Sequence, residues 1–111
     1  MATTAYLDID QGSDFTAELT LEDATGAINL NGYSVYSQFR KSYSSTVGYS
    51  FVCNVVDAAN GVISLSLSGV TSSGIKPGRY LYDVEIISGT GQKIRVIEGI
   101  ITLNAEITKI P

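Results

Sequence analysis

The amino-acid sequence predicts a single all-β domain, built as a sandwich of about seven antiparallel strands. β-Branched and aromatic residues are common beside glycine and serine, whereas straight-chain helix formers are few. Apolar and polar residues alternate with a period of two in several segments, as in strands that bury one face. Turn residues separate these segments at intervals of about 8 to 12 residues, a spacing typical of a sandwich or barrel.

The length of 111 residues fits one domain, which would bury about two thirds of the surface of its unfolded chain. No internal repeat or low-complexity linker divides the chain. We therefore expect one domain over residues 1–111, with a core at about 6–108 and loose arms at both ends.

The clearest strand lies between Asp14 and Leu21, where Phe15, Ala17 and Leu19 alternate with polar residues. The segment 22–26 then forms a turn. The further strands are expected at residues 33–40, 49–56, 63–67, 79–87 and 93–103, with an irregular crossing between sheets at 69–78. The side chains expected to be buried include Phe15, Leu19, Val35, Leu65, Tyr82 and Val84.

Two of these segments differ in how clearly they define their faces. In segment 33–40, Val35 and Phe39 fall on one face, and Tyr36 falls on the other with polar neighbours. Segment 49–56 is apolar on both faces, so its register is not defined by the pattern. It is expected to form a hairpin with segment 63–67, through a turn at 57–61.

Charge and hydropathy argue against nucleic-acid and membrane partners. The chain has 11 acidic and 7 basic residues, and the basic residues are scattered rather than clustered as a phosphate-binding surface requires. No apolar run approaches the length of about 20 residues that spans a bilayer. The N-terminus lacks the features of a signal peptide, so we expect the chain to fold in a cytoplasmic compartment.

The residues that most enzymes use are scarce, so we expect neither catalysis nor a cofactor. The chain has no histidine, which removes the commonest general base and zinc ligand. The single cysteine, Cys53, has no histidine to activate it and lies in an apolar context. We interpret Cys53 as a small buried apolar residue.

Two groups of carboxylates are candidate functional sites. Asp8, Asp10 and Asp14 resemble a calcium loop, but the glycine and glutamate positions of such a loop are not matched, so we expect no metal. Asp83 and Glu85 share one strand face, and a pair of carboxylates can catalyse glycoside hydrolysis. The simpler interpretation is that both are solvated or paired with a basic residue of a neighbouring strand.

A stretch between Tyr33 and Tyr49 interleaves tyrosines with serine, threonine and glycine. This mixture combines rigid aromatic area with adaptable polar contacts, as in paratopes. The candidate interaction residues are Tyr36, Tyr43, Ser44 and Ser45. The alternative is that the outer tyrosines belong to the edge of the core and the remainder is a solvated hairpin.

A series of motifs along the chain is shared with a known class of proteins. They are QGSDF at 11–15, LNGY at 30–33, QFRK at 38–41, NG at 60–61, KPGRYLYDVE at 76–85, GIITL at 99–103 and EIT at 106–108. Their order resembles small virion domains of tailed bacteriophages. It is similar to the immunoglobulin-like N-terminal domain of upper baseplate proteins and to short structural proteins of contractile-tailed marine phages.

The resemblance implies an immunoglobulin-like sandwich and a non-enzymatic structural module. Its place would be the virion, in a tail, baseplate, neck or head decoration, docked to other virion proteins and to further copies of itself in a multi-copy assembly. Tyr80 or Tyr82 would form a tyrosine corner. The alternative function is a carbohydrate- or receptor-binding adhesin that uses the stretch between Tyr33 and Tyr49, and a weaker one is glycan cleavage by Asp83 and Glu85.

Overall fold

A computed structural model describes residues 3–23 and 25–108. The outermost parts of the two expected arms, residues 1–2 and 109–111, and one residue of the expected turn at 22–26 lie outside the described residues. The elements are β1 (Thr3–Thr4), β2 (Leu7–Asp10), β3 (Phe15–Thr20), β4 (Glu22–Asp23), β5 (Gly26–Ala27), β6 (Ser34–Arg40), β7 (Gly48–Ser50), β8 (Val52–Asp57), β9 (Val62–Leu67), α1 (Gly69–Ser73), β10 (Gly78–Ile87) and β11 (Lys93–Asn104).

The strands form two principal sheets. Sheet A has the order β1-β11-β10-β6-β7, with β2 also paired to β11, and sheet B has the order β3-β9-β8. The chain thus places β6 beside the final hairpin β10–β11 in one sheet and β3, β8 and β9 in the other, and this distribution is that of an immunoglobulin-like sandwich. The predicted fold class is therefore confirmed, although short additional strands raise the number of segments above seven.

We expected segment 49–56 to form one strand, but it forms two strands in different sheets. β7 pairs with β6 in sheet A, and β8 pairs with β9 in sheet B. Phe51 stands between them with its amide donating to the carbonyl of Ser37 at 3.0 Å. Its side chain is buried and lies 5.1 Å from the ring of Phe39 and 6.1 Å from that of Phe15. The switch is hidden in the sequence because both faces of this segment are apolar.

The crossing at 69–78 joins sheet B to sheet A, as expected, but it begins with a short helix that the sequence did not indicate. The Ser68 hydroxyl accepts from the amide of Thr71 at 3.1 Å and caps the helix. The Asp14 carboxylate accepts from the amide of Gly69 at 2.7 Å. This single turn of helix is fixed by Ser68, the residue that follows β9, and by Asp14 in the loop before β3.

The expected core is partly confirmed. Leu65, Tyr82 and Val84 are buried, whereas Phe15, Leu19 and Val35 are only partly buried against the core. Their partial exposure has a topological reason: β3 is an edge strand of sheet B, and β7 covers β6 only at residues 38–40. Tyr36 lies on the exposed face of β6, as the alternation predicted.

The N-terminal segment is part of sheet A from Thr3 onward, so our expectation of a loose arm before residue 6 was wrong. β1 and β2 both run parallel to β11, which also corrects the expectation of purely antiparallel pairing. The amide of Ala5 donates to the carbonyl of Glu98 at 3.0 Å. The close approach is possible because Gly99, opposite this bend, has no side chain.

Replacing Gly99 with alanine is expected to displace the N-terminal segment. A Cβ at this position would overlap the carbonyl oxygen of Ala5 and lie 3.2 Å from the ring of Tyr82. We expect a loss of about 1 to 3 kcal/mol in unfolding free energy, the usual cost of overpacking. Urea denaturation and amide hydrogen exchange at residues 3–5 measure the two effects. Unchanged stability together with unchanged protection would contradict the close contact.

Candidate functional site

The outer face of sheet A carries a groove of about 290 Å³, which we call the outer groove. Its floor is β10, and its walls come from β6, from the loop after β6 and from β11. Register explains the arrangement, because Asp83 stands opposite Gln38 on one side and Glu98 on the other. The lining residues used below are Gln38, Arg40, Tyr43, Asp83, Arg95 and Glu98.

Two arginines organise the polar groups of the outer groove. Arg95 lies 3.2 Å from a carboxylate oxygen of Asp83 and 3.4 Å from one of Glu98. Arg40 donates to the carbonyl of Ser45 at 3.0 Å and to the side-chain oxygen of Gln38 at 2.9 Å. The groove therefore presents Arg95 held by two carboxylates and Arg40 held by a carbonyl and an amide oxygen.

The structure separates the four predicted interaction residues. Tyr36 is 56% exposed and stands opposite Glu85 on the outer face of sheet A. Tyr43 is 81% exposed and lines the outer groove. Ser44 and Ser45 instead line a second depression at the end of the sandwich. The tyrosines thus share one face of the molecule, and the serines belong to another site.

The loop that carries Tyr43 is braced by hydrogen bonds. The Ser45 hydroxyl accepts from the amide of Ser42 at 3.1 Å and lies 3.0 Å from the Ser42 hydroxyl. Together with the bond from Arg40 to the Ser45 carbonyl, these contacts hold the loop against β6. The serines of this stretch therefore support the loop, while Tyr43 presents its ring to solvent.

Sequence reasoning missed the contribution of β11 to the outer groove. Asp83 was expected to be solvated or paired with a basic residue of a neighbouring strand, and its ion pair with Arg95 confirms the second option. Arg95 itself could not be assigned to a face, because a bulge after Val84 shifts the register of β10 against β11. The sequence did contain a signal for the β6 side of the groove. Gln38 and Arg40 alternate with Phe39, which places Gln38 and Arg40 on the same face of the strand as Tyr36.

The two tyrosine-corner candidates have different roles. The Tyr80 hydroxyl donates to the carbonyl of Lys76, four residues earlier, which is the contact that defines a tyrosine corner. The Tyr82 hydroxyl donates to the carbonyl of Ala5 at 2.9 Å and so secures the N-terminal segment. Burial raises the pKa of both hydroxyls, that of Tyr82 to about 12.

Substituting Tyr82 with phenylalanine is expected to lower the free energy of unfolding. It should also make that free energy fall less steeply as the pH rises above about 10. The lost hydrogen bond costs about 1 kcal/mol. Because the folded pKa is raised above the unfolded value of about 10, its contribution is complete below pH of about 10 and is lost as pH rises toward about 12. Urea denaturation of both proteins across this interval is the measurement. Equal slopes with pH would contradict the assignment.

The carboxylates of the calcium-like segment make structural contacts. Asp14 accepts from the amide of Gly69 at 2.7 Å, and Asp10 accepts from the side-chain amide of Asn104 at 3.3 Å. Within residues 3–23 and 25–108, no group of three or more potential metal-ligating residues is brought together. Asp14 thus fixes the start of α1, and Asp10 joins the ends of β2 and β11.

Chelator and reductant are expected to leave the melting temperature unchanged. The aspartates above are engaged with backbone and amide groups, and burial raises the pKa of the partly buried Cys53 thiol, which disfavours the reactive thiolate. Thermal denaturation with EDTA, calcium or dithiothreitol tests this. A rise of several degrees in melting temperature with calcium would contradict this expectation and indicate that the aspartates bind the metal.

The chain is similar to solved structures of other proteins. No family model and no curated protein matches the chain. An internalin-like protein of Listeria monocytogenes is similar with a TM-score of 0.47 and 17% identity over 93% of this chain, which spans 28% of that protein. A structure from a study of multimeric cell-adhesive interactions of VGSC beta subunits is similar with a TM-score of 0.42 and 12% identity, covering 95% of this chain and 93% of that one.

Among the described residues, no helix is long and apolar enough to cross a membrane.

Proposed function

We propose that the chain is a non-enzymatic structural module of a phage particle that docks to other virion subunits. The observation that carries the docking role is the pair of exposed tyrosines, Tyr36 and Tyr43, on the outer face of sheet A. The assignment to a virion, in a tail, baseplate, neck or head decoration, is supported by the sequence motifs that resemble phage structural domains.

The physical basis of docking is a rigid surface with few groups to immobilise. Tyrosine contributes a large contact area and loses little side-chain entropy when a partner binds. Tyr36 projects from β6, which is held in sheet A by its pairing with β10. Tyr43 projects from the braced loop.

Co-purification with the products of the flanking genes tests the proposal. We expect those genes to encode tail or head proteins and at least one product to form a stable complex with the chain. A double variant, Tyr36→Ala with Tyr43→Ala, should remain folded and lose the complex. Tyr6→Ala is the matched control, since Tyr6 is 72% exposed but lies at the N-terminal edge of sheet A. A gene neighbourhood without virion genes would contradict the phage assignment.

A second candidate function, binding of a carbohydrate or host receptor, is favoured by the chemistry of the outer groove. Tyr43 provides an aromatic face beside the fixed donors of Arg40 and the acceptors of Glu98. Sugars need such a combination of hydrogen-bonding groups and apolar surface. A glycan array with the native chain and Tyr43→Ala separates the candidates, because selective binding lost in the variant favours the adhesin and uniform absence of binding favours docking.

A further inference from the structure

A second depression opens at the end of the sandwich, between the loop after β6 and the corner before β10. Its volume is about 640 Å³, and we call it the end pocket. Ser44 and Ser45 line it, together with Lys41, Lys76, Val47 and Tyr49. It is therefore separate from the outer groove in its lining residues, although the same loop borders both.

The charge of the end pocket is opposite to that of the protein. Its lining contains two lysines and no carboxylate, while the chain as a whole has a net charge of -4. Both ion pairs found within residues 3–23 and 25–108 involve Arg95, so neither Lys41 nor Lys76 has a carboxylate of this region within ion-pair distance. The two positive charges are uncompensated by the part of the chain that the structure describes.

Contacts with Tyr80 hold the side chain of Lys41 and the backbone of Lys76 at the pocket. The ammonium group of Lys41 lies 4.9 Å from the centre of the Tyr80 ring, within the range of a cation–π interaction. The Tyr80 hydroxyl holds the backbone of Lys76 through its bond to that carbonyl. The tyrosine corner thus has a second consequence, because it brings residues that are 35 positions apart, 41 and 76, to one pocket.

The pocket combines this charge with apolar surface. Val47 is 61% exposed at its border, and the partly buried ring of Tyr49 contributes to its wall. The volume falls within the range of about 300 to 1,000 Å³ found for ligand pockets. A single inorganic anion would leave the apolar wall without a contact, whereas a segment of polypeptide can meet both kinds of surface.

We propose that the end pocket binds a carboxylate-bearing segment of a partner polypeptide, with Lys41 and Lys76 pairing with its acidic side chains. The inference rests on the proposed docking function and names the chemistry of one partner segment. Charge complementarity is the reason for choosing an acidic segment. Nucleic acid is disfavoured because two lysines on an acidic domain do not make the extended basic surface that a phosphate backbone requires.

An NMR titration of the ¹⁵N-labelled chain with a capped tetraglutamate peptide, beside a tetraglutamine peptide, tests the proposal. We expect tetraglutamate to shift the amides of residues 41–47 and 75–76 and tetraglutamine to leave them unmoved. Binding should weaken as the salt concentration rises from about 20 to about 300 mM, because exposed charges are screened. Equal shifts with both peptides, or no shifts with either, would overturn the proposal.

Matched variants assign the effect to the pocket. Lys41→Gln combined with Lys76→Gln is expected to weaken tetraglutamate binding about tenfold, whereas Lys41→Arg with Lys76→Arg retains it. Lys93→Gln makes the same type of charge change at the other end of β10, where Lys93 pairs with Ile87, and should bind as the native chain does. Melting temperatures establish that each variant is folded.

Three results would overturn this assignment. They are unchanged binding by the glutamine double variant, displacement of tetraglutamate by equimolar inorganic phosphate, and self-association of the native chain that the same variant abolishes. The last would make the occupant a second copy of the chain. Loss of the flanking-gene complex through Tyr36 and Tyr43 is measured separately, so the docking proposal can stand if the end pocket fails.

Discussion

Replacing Tyr82 with alanine is expected to lower the unfolding free energy by about 3 to 5 kcal/mol, the usual cost of truncating a buried aromatic side chain. Tyr82 is only 4% exposed, and its hydroxyl also holds Ala5 of the N-terminal segment. Tyr36→Ala should change the free energy by no more than about 0.5 kcal/mol, as is usual at exposed positions. Urea denaturation of both variants measures the difference.

The same comparison tests how the two strand faces were assigned. Tyr43→Ala serves as a second exposed control, because its side chain lies on the loop rather than on a strand. If Tyr36→Ala unfolded the domain as readily as Tyr82→Ala, Tyr36 would belong to the core. The docking surface would then lose one of its two tyrosines.

Phe39→Ala is expected to cost a similar amount, about 3 to 5 kcal/mol. Phe39 is 1% exposed and stands at the centre of an aromatic cluster. Its ring centroid lies 5.1 Å from that of Phe51, 5.2 Å from Tyr49 and 5.4 Å from Tyr80. Removing it leaves a cavity between β6, β7 and β10 and withdraws several aromatic contacts at once.

The Phe39 variant should also loosen the end pocket. Tyr49 and Tyr80 pack on Phe39 and line that pocket. Thermal denaturation gives the stability change, and the amide shifts of residues 41–47 report the loop. A loss below about 1 kcal/mol would contradict the central position of Phe39, because cavities of this kind rarely collapse so completely.

The parts of the fold that sequence predicted are those in which one strand face is buried. Segment 33–40 was assigned correctly because Val35 and Phe39 alternate with polar residues, and β6 has this orientation. Segment 49–56 offered no such contrast, and the move between sheets at Phe51 was hidden. The N-terminal strands were missed because their partner is β11, nearly the whole chain away in sequence.

The candidate site was predictable to the same limited extent. The exposure of Tyr36 and Tyr43 followed from local pattern, since both lie among polar residues. Lys41 and Lys76 line the same pocket because of the tyrosine corner. Asp83 and Arg95 form an ion pair because of the strand register. The sequence indicated a basic partner for Asp83 on a neighbouring strand, but which residues come together is set by the tertiary fold and not by composition or alternation.

The affinity of the chain for the flanking-gene product with which it co-purifies tests the central claim most directly. Isothermal titration calorimetry would compare the native chain, Tyr36→Ala with Tyr43→Ala, and the control Tyr6→Ala. We expect the double variant to bind about 30-fold more weakly, the effect of losing about 2 kcal/mol of contact energy, with the control unchanged. Native affinity in the double variant would contradict docking through the outer face of sheet A.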